Sequence, residues 1–131
     1  MRYTTENTIK SLIKKIALPS LDYDCQDWEI VVANASLVDK LLNEYMKRED
    51  LNEDEKFTLM NIIIESANDY WREYKEPHKS MDMIKNIIMN DYILHRETII
   101  YYACFSVNLE DAWEITPYMR SIIANYDDTK I

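Results

Sequence analysis

The chain has 131 residues, 47% of them apolar and 30% charged, and carries a formal net charge of −9. That length suits one domain, with enough apolar mass for a core and no compositional sign of disorder. The acidic excess argues against direct nucleic-acid binding and against docking on anionic membranes, both of which rest on Lys and Arg. Glycine is absent altogether, which excludes a Walker A loop, a dinucleotide-binding fingerprint, an EF-hand loop and a nucleophile elbow.

Helical spacing dominates from the start. Ile9, Leu12, Ile13 and Ile16 form one stripe with Lys10, Lys14 and Lys15 beside it, and Pro19 ends the helix. An acidic connection, Leu21–Asp27, leads to a short helix over Asp27–Ala33 around Trp28, where Val31 and Val32 also allow a strand. Ser36 reads as the N-cap of a helix that runs to about Arg48 and buries Leu37, Leu41, Leu42 and Tyr45.

The clearest start signal is Asn52-Glu53-Asp54-Glu55, a capping box in which Asn52 and Glu55 satisfy each other's backbone amides. Phe57, Met60, Ile64, Ala67, Trp71 and Tyr74 then alternate at spacings of three and four. Ile62 and Ile63 widen that face, which predicts a central helix with neighbours on two sides, closed by Pro77.

A further helix carries Met81, Ile84, Ile87 and Ile88 and ends near Asn90. Another covers roughly Leu94–Phe105, with Ile99, Ile100, Tyr102 and Ala103. Val107–Ile115 is an acidic loop, and Thr116-Pro117 opens a last helix that buries Tyr118, Met119, Ile122 and Ile123 before a frayed tail over 126–131. Without glycine, Asn34, Asn90 and Asn125 are the residues placed to supply left-handed C-caps. The predicted fold is all-α, an irregular bundle of about six helices in a single domain spanning 1–131.

Candidate chemistry is sparse. His78 reads as an exposed loop residue, and His95 follows Asp91 by one helical turn. A catalytic metal wants at least three ligands, and neither HExxH nor a second Cys/His cluster is present, so His95 is expected to cap or pack. Glu65 and Asp69 share a helix face and read as solvated, and Cys25 and Cys104 read as reduced thiols, the latter in the core. No catalytic residue, metal or cofactor is predicted.

The remaining signal is acidic sequence with aromatics in it. One cluster holds Asp22, Tyr23, Asp24, Asp27, Trp28 and Glu29; another holds Glu110, Asp111, Trp113 and Glu114; Glu49–Glu55 is a third, accounted for by the helix dipole. Carboxylates pair with Lys and Arg while aromatic rings serve as anchors. The predicted partner contacts are Asp22, Tyr23, Asp24, Asp27, Trp28, Glu110, Asp111 and Trp113.

In size, charge and class alone the chain resembles small acidic helical bacterial proteins such as immunity proteins, which neutralise a toxin by covering it. No motif carries that resemblance, so it assigns no residues. The expectation is a cytoplasmic, non-enzymatic module that binds a basic protein partner, an immunity-type inhibitor being one form of it. Residues 1–20 lack the unbroken apolar run of a secretory signal, and no stretch approaches the roughly 18 residues of a membrane span. The alternatives are a small metal-assisted hydrolase using Asp91, His95 and Glu65, and a nucleic-acid mimic with its carboxylates along one face.

Overall fold

Among the described residues, seven α-helices and two short 3₁₀ turns make up the regular structure, with no strand. The computed structural model describes residues 4–18 and 28–129. The helices are α1 (Glu6–Ile16), α2 (Trp28–Val31), α3 (Val38–Lys47), α4 (Glu53–Tyr74), α5 (Met81–Asn90), α6 (Tyr92–Ala103) and α7 (Thr116–Thr129). The 3₁₀ turns, Ala35–Leu37 and Leu109–Asp111, precede α3 and α7. The all-α bundle is therefore observed, and the stretch around Trp28, where the sequence also allows a strand, is the expected short helix.

α4 is the axis. α1, α2, α3 and α6 all pack on it. Leu59, Met60, Ile62, Ile63, Ile64 and Ala67 are all fully buried, so this helix is covered nearly all round, as expected of an element that is apolar beyond a single stripe. Its seam runs out at the end, where Trp71 is half-buried and Tyr74 is exposed. Ile9, Leu12 and Ile16 of α1 and Val38, Leu41, Leu42 and Tyr45 of α3 close one half of the core. Ile84, Ile88, Ile99, Tyr102, Ile115, Met119 and Ile122 close the other, where α6 packs against α5 and α7.

The start of α4 is held by one side chain. The Asn52 side chain accepts from the Glu55 amide at 2.8 Å, and Glu55 Oε1 accepts from the Asn52 amide at 3.0 Å, which completes the capping box. Glu55 is also buried, and Ser11 Oγ and Lys15 Nζ of α1 reach it at 2.6 Å and 2.9–3.0 Å. Burial alone works against the charge, but the Asn52, Ser11 and Lys15 donors outweigh it and hold the carboxyl below its usual range.

The helix C-termini depart from expectation. None of the three asparagines is a left-handed cap. Asn34 is extended and N-caps the 3₁₀ turn in place of Ser36, whose amide and hydroxyl both donate to Asn34 Oδ1. Asn90 ends α5, and Asn125 lies inside α7. The left-handed positions are Ala17 (φ 59°), Lys75 (φ 60°) and Cys104 (φ 50°), each C-capping a helix. The reason is position: only the residue directly after the last helical turn needs the left-handed well, and here no asparagine stands there. Pro19, expected to stop α1, lies outside the described residues, and Ala17 already ends the helix. α7 stays helical to Thr129, beyond the expected point of fraying.

Two stability tests follow from these local features. Lys75 is exposed, so Lys75→Gly relieves the steric cost of a β-carbon at φ 60° without loss of packing. It is expected to raise stability by about 0.5–1 kcal/mol in urea unfolding. Glu55→Gln is expected to cost about 1–2 kcal/mol at pH 7. Because the native carboxyl is held low, its contribution is present above the unfolded-state value and fades as pH falls through the native one. The difference between the two proteins should therefore shrink on acidification.

Candidate functional site

The predicted contacts separate. Asp22, Tyr23, Asp24 and Asp27 lie outside the described residues. Trp28, expected at a surface, is fully buried at 0% exposure, which corrects that expectation. It is the first residue of α2, a short helix packed on α4, and covering its ring stabilises the fold by more than display would allow. Glu110 and Asp111 are exposed, and Trp113 is half-buried.

Glu110, Asp111 and Trp113 belong to a larger surface after α6. Tyr101, Phe105 and Leu109 are exposed at 55%, 62% and 53%, and Ile100 and Val107 are also exposed. The Tyr101 and Trp113 rings lie 5.0 Å apart, with Tyr102 behind them at 5.0 Å and 5.2 Å. Between Arg96 and Arg120 the sequence contains neither Lys nor Arg, but it does contain Glu110, Asp111 and Glu114. An exposed apolar group of this kind beside carboxylates is the composition of an interaction surface.

The loop under this surface is pinned at several points. Arg120 of α7 donates from Nε to the Ala103 carbonyl at 2.6 Å and from Nη2 to those of Cys104 and Val107 at 2.7 Å and 3.0 Å. It thereby takes up carbonyls that the end of α6 leaves without helical partners. Its guanidinium also lies 5.4 Å from the Phe105 ring centre. At the far end, the Ile115 amide donates to Asn68 Oδ1 at 3.1 Å and Thr116 Oγ1 donates to the Tyr102 carbonyl at 2.8 Å. Thr116, which the sequence pattern Thr-Pro would make an N-cap, is the first residue of α7 and bonds to α6. Cys104, expected in the core, is half-exposed as the left-handed cap of α6.

Beneath the aromatic group, the Tyr102 hydroxyl donates to Glu65 Oε2. Glu65 is buried, so the expectation of a solvated carboxylate is corrected. Burial pushes its carboxyl up, the Tyr102 hydrogen bond works against that, and Asp69 pushes the same way as burial. Asp69 is also raised, first by burial and further by Glu114 and Glu73, while its pairing with Arg72 opposes the shift. Burial raises the Tyr102 phenol, with Glu65 and Glu29 adding to it. Glu29 of the first acidic cluster and Glu114 of the last therefore both act on groups at this one place in the fold.

One histidine departs from its sequence reading, and the other, His95, packs as expected. His78 is buried, not exposed: its ring packs edge-on against Tyr70, and its Nδ1 accepts from the Ser80 amide at 3.0 Å. Burial lowers its pKa, with Asp39 opposing and Lys79 adding to the shift. His95 is fully buried, and its Nε2 lies 2.7 Å from the Tyr45 hydroxyl, which donates to Asp91 Oδ2 at 2.9 Å. A phenol has one proton to give, so Nε2 is the donor toward Tyr45. Asp91 also lines an open groove of about 1130 Å³, with Glu53, Lys56, Arg96 and Tyr126. His95 itself does not line that groove. Among the described residues no three His, Cys, Asp or Glu side chains form a metal-holding group.

The Glu65–Tyr102 pair makes a pH test possible. Tyr102→Phe leaves the buried carboxylate without its phenol donor and is expected to cost about 1–3 kcal/mol at pH 7. Because the native Glu65 carboxyl is raised, the folded state takes up its proton before the unfolded chain does as pH falls. The penalty should therefore be largest at neutral pH and decline as Glu65 is protonated, as read from urea unfolding at pH 7 and near the acid end of the stable range.

No family model matches the chain, and no curated protein or solved structure is found to be similar to it; its function is read from the surface itself.

Proposed function

We propose that the protein is a non-enzymatic interaction module that holds a basic protein partner on the surface formed by the end of α6 and the loop that follows. The supporting observation is the exposure of Tyr101, Phe105 and Leu109 beside Glu110 and Asp111, in a stretch without a positive side chain. The net charge of −9 attracts such a partner from a distance. The apolar groups then supply contact area that long-range charge cannot. A cytoplasmic inhibitor of the immunity type is one form of this reading, compatible with the fold class and charge.

The hydrolase alternative draws less support. His95, its main residue, is fully buried with Nε2 against a phenol. A group that moves protons to or from a substrate must come within hydrogen-bond reach of it, directly or through one water.

The test is kinetic. The immobilised chain is used to recover partners from a native-host lysate, and the association rate of a recovered partner is measured at rising salt. The on-rate is expected to fall by about tenfold or more from low to high salt. Glu110→Lys with Asp111→Lys should cut it further at low salt and flatten the salt dependence. An on-rate indifferent to both would remove the electrostatic reading.

A further inference from the structure

From this surface we infer the chemistry of the anchoring group: the partner presents an arginine, flanked by apolar residues, whose guanidinium lies on the Tyr101–Trp113 rings. The inference rests on the interaction reading above and makes it more specific.

The geometry of the rings comes first. Tyr101 is 55% exposed and its ring is 5.0 Å from that of Trp113, tilted by 37°. Tyr102 lies almost perpendicular to Tyr101, at 89°, and its hydroxyl is tied to Glu65. Tyr102 therefore braces Tyr101, which is still more than half exposed. A cation is attracted to the face of a Trp or Tyr ring, and a planar guanidinium stacks there while it donates sideways to carboxylates. Carboxylates stand in the chain beside the rings: Glu110 and Asp111 shortly before Trp113, and Glu114 directly after it.

The same surface already holds one guanidinium. Arg120 lies over Phe105 while its N–H groups are taken up by the Ala103, Cys104 and Val107 carbonyls. Those carbonyls are neutral, so Arg120 keeps its charge, but Glu110, Asp111 and Glu114 outnumber it in the loop. Arg72 is paired with Asp69. Negative charge at Glu110 and Asp111 is therefore available to an incoming partner, and Leu109 and Val107 offer apolar contact next to it. A lysine would gain the charge attraction but not the planar stacking or the forked hydrogen bonding.

The probes are two short synthetic peptides, one of alternating Arg and Leu and one of alternating Lys and Leu, titrated into the full chain and followed by the Trp113 indole N–H and the backbone amides of residues 100–114 in NMR spectra. The Arg peptide is expected to bind about threefold tighter or better and to shift the Trp113 indole. Tyr101→Ala, a change at an exposed ring, should abolish that preference, and Tyr101→Phe should keep it. Equal binding of both peptides, weakened by Asp111→Lys, would overturn the arginine anchor and leave the basic-partner reading in place. If neither peptide perturbs residues 100–114, both fail.

Discussion

The fold depends on a buried carboxylate. Glu55 accepts from the Asn52 amide, from Ser11 and from Lys15, and so joins the first turn of α4 to α1. Lys15 Nζ also reaches the Asp50 carbonyl at 2.5 Å, which adds the turn after α3 to the same knot. A helix N-terminus needs acceptors for its amides, and a buried carboxylate needs donors; each requirement meets the other here. Because α4 is the helix around which the others pack, fixing its entry fixes the frame of the bundle. Glu55 therefore does structural work within an acidic cluster that would otherwise pass as surface charge.

The end of α6 is the electrostatic complement of that arrangement. There the unsatisfied groups are carbonyls, and the charge that meets them is the Arg120 guanidinium. The need is sharpened by the lack of glycine: Cys104 takes φ 50° with a β-carbon in place. A left-handed residue of this kind persists only where its surroundings hold it. Arg120 from one side, and Asn68 and Thr116 further along, provide the hold. Phe105 and Trp113 thus stand on a loop whose backbone is already fixed, and Tyr101 stands on the last turn of α6. Less ordering remains to be done on binding, which favours recognition over mere stickiness.

What was legible in the sequence was local. The capping box at Asn52 and Glu55 lies within one turn, and the stripes of α1, α3 and α4 follow helical spacing that does not depend on a neighbour. Several misreadings concern partners far along the chain. Glu65 looks solvated until Tyr102 is placed against it, and although His95 packs near the start of α6 as expected, its partner Tyr45 arrives from α3. Trp28 was read by its acidic neighbours in sequence, whereas its environment is set by α4. Arg120 has no local signal at all, because its role depends on the carbonyls of another helix. The surface after α6 was half legible: the acids and Trp113 were evident, but Tyr101 and Phe105 had been assigned to a helix whose buried face was unknown.

The two interior polar pairs differ in a way that bears on where function resides. Tyr45 bridges Asp91 and His95, with its single proton committed to the carboxylate, and so ties α3 to the start of α6. Tyr102 ties the end of α6 to the middle of α4 through Glu65. Together they lock α6 at both ends. The first pair leaves only Asp91 at a groove wall, among side chains of both signs, which gives a ligand no single field to follow. The second lies beneath the Tyr101 and Trp113 rings, where Asp69, Glu73 and Glu114 outnumber the one guanidinium of Arg72. Its contribution to recognition is indirect but physical: by holding the Tyr102 ring, it holds the Tyr101 and Trp113 rings that pack on it, and it places negative charge close to where a cation would stack.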